Sequence, residues 1–181
     1  MSVQTEPPAP VRYVAFDPNT EIIGAMLQGT VYSMEREALL PLLRKHGFEH
    51  IELDKWYPLQ RVLDLFTDIV NHEGGMFNMV AIGMKAGEVF QFPPEITTFE
   101  QVLELADTLN RAAYRNGDPG TLRAEKLGER HYRMHVHLPF PQDLHYGIWW
   151  AVAKRLVPDM HTLKIRREVI DQYTSIYEFQ W

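Results

Sequence analysis

The sequence predicts an α+β domain, with a helical first half packed on one face of a four-stranded antiparallel sheet and a C-terminal half that runs β-β-α-β-β. Three observations predict it. Apolar residues recur at helical spacing from Leu59 to Ala113, and from Thr121 the period changes to two. Two strand pairs, 121–138 and 160–181, then flank one helical stretch entered at Pro141 and closed by Pro158. Strands grouped apart from helices are the pattern of this class.

In chain order, VRYVAF (11–16) reads as a short strand and Asp17 to Thr20 as a turn or helix start. Ser33 is a candidate N-cap for a helix through Glu35, Leu39, Leu42 and Leu43 to Lys45, stopped by Gly47; Pro41 inside it predicts a later start or a kink. Pro58 suits a first helical turn, where its missing N–H leaves nothing unpaired. Leu59, Val62, Leu63, Phe66, Ile69 and Val70 follow on one stripe, with Gln60, Arg61, Asp64, Thr67 and Asp68 opposite, up to Gly74 and Gly75. Residues 76–90 are apolar almost all round and predict a central helix. Gly83 and Gly87 lie four apart in it, which predicts close helix packing, with ligand approach as the alternative. Thr98 with Gln101 fits a capping box for a helix carrying Phe99, Val102, Leu103, Ala106, Leu109 and Ala113 on one stripe. The stretch after Pro141 carries Leu144, Ile148, Ala151, Val152 and Leu156.

The chain has 181 residues, the size of one domain, with 45% hydrophobic and 23% charged residues. Residues 1–10 are polar and Pro-rich and are expected to form a disordered tail, with 11–181 as the single domain. No run approaches the length of a membrane span and no signal peptide is recognisable, so a cytoplasmic location is the expectation. Zero cysteines exclude disulfides, thiolate metal sites and cysteine nucleophiles. A net charge of -6 argues against a nucleic-acid partner.

Four of the eight histidines fall between residues 129 and 145. Strand alternation puts Tyr132, Met134, Val136 and Leu138 on a core face and His131, Arg133, His135 and His137 on the other. His135 and His137, about 6.6 Å apart along a strand, are close enough to share a zinc ion. A third ligand must come from elsewhere, with Asp143, His145 or His161 available only if a turn folds them inward, and Arg133, Lys164 and Arg166 set cations beside the site. The same face, with Arg123, Glu125 and Glu168, reads as solvated, or alternatively as a pH-responsive, anion-contacting or interface surface. No phosphate-binding glycine loop, nucleophile elbow or H-E-x-x-H motif occurs, so no enzyme is predicted and no catalytic residue is assigned.

Three short motifs carry a resemblance: "WYPLQ" (56–60), "LPFPQDLHYGIWW" (138–150) and "YEFQW" (177–181). Over residues 24–181 the chain resembles the superfamily of ligand-binding domains shared by nitric-oxide signalling and Golgi transport proteins. That group holds the 4-vinyl reductase domain, the heme-NO-binding domain, the TRAPP vesicle-tethering subunits and a myxobacterial family of unknown function. The resemblance implies a helical bundle on a four-stranded sheet, commonly dimeric, with an apolar pocket for a hydrophobic small molecule. The cysteines of many 4-vinyl reductase domains, the tyrosine-serine-arginine signature and the proximal histidine context of heme-NO sensors are not found here. Neither a reductase activity nor heme is carried over, and the cofactor is left open.

A pocket of that type is lined by aromatic and flexible apolar side chains. Trp56, Tyr57, Met76, Met79, Gly83, Tyr146 and Trp149 are the candidates, with ordinary core packing as the alternative for each. Trp149 and Trp150 point about 100° apart on a helix, so one of them is expected to border a pocket or a subunit interface. The expectation is a non-enzymatic small-molecule-binding or sensor domain and a homodimer. The alternatives are a TRAPP-like interaction module without a free ligand and a metal enzyme using His135 and His137.

Overall fold

The computed structural model describes residues 10–31, 36–72 and 78–181. The predicted N-cap Ser33, Glu35, Gly74, Gly75, Met76 and nearly all of the predicted tail lie outside the described residues. The chain forms β1 (Glu21–Ile23), α1 (Gly24–Val31), α2 (Arg36–His46), β2 (Trp56–Pro58), α3 (Leu59–Val70) and α4 (Met79–Val89). It continues through α5 (Phe99–Glu104), α6 (Ala106–Arg111), β3 (Tyr114–Arg115), β4 (Thr121–Gly128), β5 (His131–His137), α7 (Gln142–Leu156), β6 (Lys164–Val169) and β7 (Thr174–Gln180).

The predicted α+β architecture is the observed one. Strands β4 to β7 form an antiparallel sheet in the order β4-β5-β7-β6. Tyr132, Met134 and Val136 of β5 and Ser175, Tyr177 and Phe179 of β7 are buried, so the alternation in the sequence sets the inner face. The Thr98 and Gln101 capping box is present, α7 begins directly after Pro141, and α3 buries Leu59, Val62, Leu63, Leu65, Phe66 and Ile69. Pro41 sits inside α2 without ending it, and Gly47 takes the left-handed φ of 68° that stops the helix.

Four features differ from expectation. VRYVAF does not pair as a strand. It runs along α3, whose polar side takes up its backbone: Val11 N–H donates to Asn71, Tyr13 N–H to Thr67, and Ala15 N–H to Gln60, which returns a bond to the Tyr13 carbonyl. Side chains here satisfy the groups a sheet would have satisfied. A small three-stranded sheet, β2-β1-β3, joins segments far apart in sequence, and no local pattern announces two- and three-residue strands. The stripe from Phe99 to Ala113 breaks at Leu105 (φ -101°, ψ 6°), dividing one expected helix into α5 and α6. Finally, α4 is not enclosed on all sides. It buries Met79, Ile82, Gly83, Ala86 and Gly87 but exposes Ala81, Lys85, Glu88 and Val89.

Helices α4 and α7 meet backbone to backbone. A Cβ on Gly83 would lie 2.0 Å from the Leu144 carbonyl oxygen, and one on Gly147 would lie 2.0 Å from that of Val80. Only glycine admits this approach, so the glycines serve helix packing. Two hydrophobic clusters result. One gathers α1 to α3, the start of α4 and Phe140; the other gathers α5, α6, most of α7 and the inner sheet face; Ile148 packs against both.

Candidate functional site

At the seam between the two clusters lies a cavity of about 730 Å³. Ligand pockets commonly measure about 300–1,000 Å³, whereas packed interiors leave few voids larger than a water. Residues 25–29 of α1 form one wall, α6 contributes Ala106, Leu109 and Asn110, and α7 contributes Leu144, His145, Ile148, Trp149 and Val152. Phe66, Phe140, Leu122 and Leu138 close the interior. Leu53 and Val89, both about half exposed, lie among the lining residues. The break at Leu105 gives the Phe99–Ala113 stripe two partners. Phe99 packs edge-on against Phe179 and Trp181, while α6 faces the cavity.

Among the described residues, the lining polar side chains are Gln28, Gln91, Asn110, Tyr114 and His145, with no Asp, Glu, Lys, Arg, Ser or Thr. Two of these hold buried polar atoms without a hydrogen-bond partner among the described residues, Nδ2 of Asn110 and Nδ1 of His145. His145 is 8% exposed and its ring meets Phe140 edge to face, with centroids 6.0 Å apart. Burial, aided by the charge of Arg167, pushes its pKa down to about 4, so the imidazole is neutral near pH 7. Arg167 is itself held by the Asp143 carboxylate at 2.8 Å and lies 4.8 Å from the centre of the Tyr146 ring. Burial also raises the pKa of Tyr114, keeping that phenol neutral.

The lowered pKa has a consequence for stability. An unfolded histidine titrates near 6.5 and the folded one near 4, so the stability present above pH 6.5 is lost as pH falls towards 4. The expected loss from this group is about 3 kcal/mol, and His145→Leu removes it. Urea unfolding of both proteins between pH 7 and pH 4 measures the difference. Parallel curves would show that His145 is already charged or solvated.

Of the sequence-predicted candidates, Trp149 lines the cavity and Trp150 does not; Trp150 packs against Tyr146 instead. Trp56 lies on β2 with the Arg115 guanidinium 4.6 Å from its ring. Tyr57 is buried against Phe48, and its hydroxyl accepts from Glu52 N–H. Met79 and Gly83 are buried on α4, and Tyr146 is half-buried beside Arg167. None of these five belongs to the lining. Asn110 is not among the sequence-predicted candidates and His145 only as a possible third metal ligand, although each leaves a local signal for the cavity. Each is a polar residue on an apolar stripe, His145 four before Trp149 and Asn110 four after Ala106.

The other histidines are not among the lining residues. His131 bonds Glu178 at 2.8 Å, and His137 bonds Thr174 and stacks on Phe16 with centroids 4.4 Å apart. His135 is exposed, opposite Arg123 and Ile176. Among the described residues no three histidines or carboxylates are grouped to hold a metal ion, and no helix is long and apolar enough to cross a membrane.

No protein-family model matches the chain, and no curated protein sequence matches it. Solved structures do. A Tt H-NOX domain with two phenylalanine substitutions superposes with a TM-score of 0.68 at 14% identity, over 88% of this chain and 95% of that one. An oxygen-binding H-NOX domain related to soluble guanylate cyclases gives 0.63 at 14%, over 86% and 90%. An H-NOX protein from S. oneidensis gives 0.60 at 11%, over 88% and 95%. The fold is that of the H-NOX domains. Of the groups the sequence resembles, the solved neighbours thus belong to the heme-NO-binding one.

Within the H-NOX fold, the residues present here do not fit heme. His145 offers an imidazole nitrogen, but two ionised carboxylates would meet a lining that has no cation among the described residues. Arg155, 5.4 Å from the centre of the Phe92 ring, already donates to the carbonyls of Gly87 and Phe90. Desolvating a carboxylate without a partner costs several kcal/mol.

Proposed function

We propose that this H-NOX-fold chain is a non-enzymatic small-molecule-binding domain of the sensor type, with its ligand held in the cavity between the two core clusters. The cavity is the observation that carries the reading. Among the described residues its lining offers hydrophobic surface and a few neutral polar groups, with no nucleophile paired with a base. A ligand at the seam touches both halves of the domain, so its occupancy changes how they pack. Differential contact of that kind is what a sensor needs. The solved neighbours add support through fold, one of them being named as an oxygen-binding domain.

Native mass spectrometry of untagged protein tests this directly. The expected spectrum shows an organic mass that leaves on denaturation and is reduced in Ala106→Phe, which fills the cavity from α6. Hemin added in slight excess is expected not to survive desalting in stoichiometric amount. Identical occupancy in the wild type and Ala106→Phe would place any ligand elsewhere and end the reading.

A further inference from the structure

Resting on that binding reading, the two partnerless polar atoms narrow the ligand's chemistry. We infer that the cavity takes an uncharged, largely apolar molecule bearing a hydroxyl or carbonyl oxygen that engages Asn110 Nδ2 and His145 Nδ1. An amide nitrogen only donates, so Asn110 calls for an acceptor. A neutral imidazole has one donor and one acceptor nitrogen, so His145 accepts a hydroxyl proton in one tautomer and donates to a carbonyl in the other. A hydroxyl or carbonyl oxygen meets both needs.

The charge of the ligand follows from what the lining lacks. Among the described residues, a carboxylate or phosphate would meet no arginine or lysine in the lining, and an amine no aspartate or glutamate. Either ion gives up much of its hydration without a countercharge to replace it, whereas a neutral oxygen gives up far less and gains the same two partners. The hydrocarbon part is met by Leu109, Phe66, Phe140 and Trp149. Asn110 and His145 therefore act as the polar contacts that orient the ligand, and the apolar wall supplies most of the area.

Four probes of one shape separate the possibilities: naphthalene, 1-naphthol, 1-acetonaphthone and 1-naphthoate, titrated at pH 7 with Trp fluorescence and calorimetry as readouts. At least one of the two neutral oxygen compounds is expected to bind ten-fold or more tightly than both naphthalene and 1-naphthoate. His145→Leu and Asn110→Leu are each expected to shrink that preference at least three-fold while leaving naphthalene affinity the same or higher. The wild-type ranking decides even if a variant folds poorly. Equal binding of naphthalene and the oxygen compounds, or tightest binding of 1-naphthoate, would overturn the inference and leave the binding reading in place. No binding by any of the four would overturn both.

Discussion

Gly147→Ala is expected to destabilise the protein by about 3 kcal/mol or more, although alanine is favoured over glycine by about 1 kcal/mol in an ordinary helix interior. The sign reverses because the new methyl would sit 2.0 Å from the Val80 carbonyl oxygen and 2.7 Å from the Met84 nitrogen. Both are backbone atoms of α4, so no rotamer change relieves the clash and the helices must separate. Overpacking a core commonly costs about 1–3 kcal/mol, and a clash with helix backbone belongs at or beyond the upper end. Separation would also pull Gly83 off Leu144 and Gly87 off Ile148, so the damage extends along the α4–α7 contact. Gly128→Ala is the control. Its Cβ would meet only the His131 Cβ at 3.8 Å, and its effect is expected within about 0.5 kcal/mol. Urea midpoints for both variants are the measurement. A Gly147→Ala protein as stable as the wild type would mean that α4 and α7 do not touch through their backbones.

Trp149→Ala is expected to cost about 3–5 kcal/mol and to abolish ligand retention. The side chain is 7% exposed, lines the cavity with one part and packs edge-on against Phe179, with centroids 5.8 Å apart. Removing it joins a new void to the existing one. The site cannot collapse to recover the loss, because α7 is pinned against α4 by its glycine contacts. Trp149→Phe keeps most of the packing and is expected to cost roughly 1–2 kcal/mol while retaining binding. A Trp149→Ala protein that unfolds at the wild-type urea midpoint, or holds its ligand unchanged, would contradict the placement of this ring between cavity and sheet core.

The two variants also show how far the sequence could be read. Gly83 and Gly87 sit four apart in a helical stretch, a spacing that predicts close packing; the facing Gly147 is visible in α7 but has no partner until the fold supplies Val80. Trp149 stood beside Trp150, and the 100° between them required different surroundings without saying which ring met the cavity. That His145 and Asn110 line one void could not be seen at all. Each breaks an apolar stripe on its own helix, but one polar residue on a stripe is as readily a satisfied core group as a ligand contact.

The sequence by itself determined the hairpins, the inward face of Tyr132, Met134 and Val136, the polar histidine face opposite, the capping box at Thr98, the start of α3 and the limits of α7, whereas α3 ends at Val70, short of the expected stop at Gly74 and Gly75. Those properties depend on neighbours within a few residues, because side-chain direction follows a period of two or 3.6. Tertiary structure alone decided the small sheet that ties residues 21–23 to 56–58 and 114–115, the bend at Leu105 and the cavity. A void is a relation among α1, α6, α7 and the sheet, set by how closely backbones approach and where their side chains stop short. No local period encodes that distance.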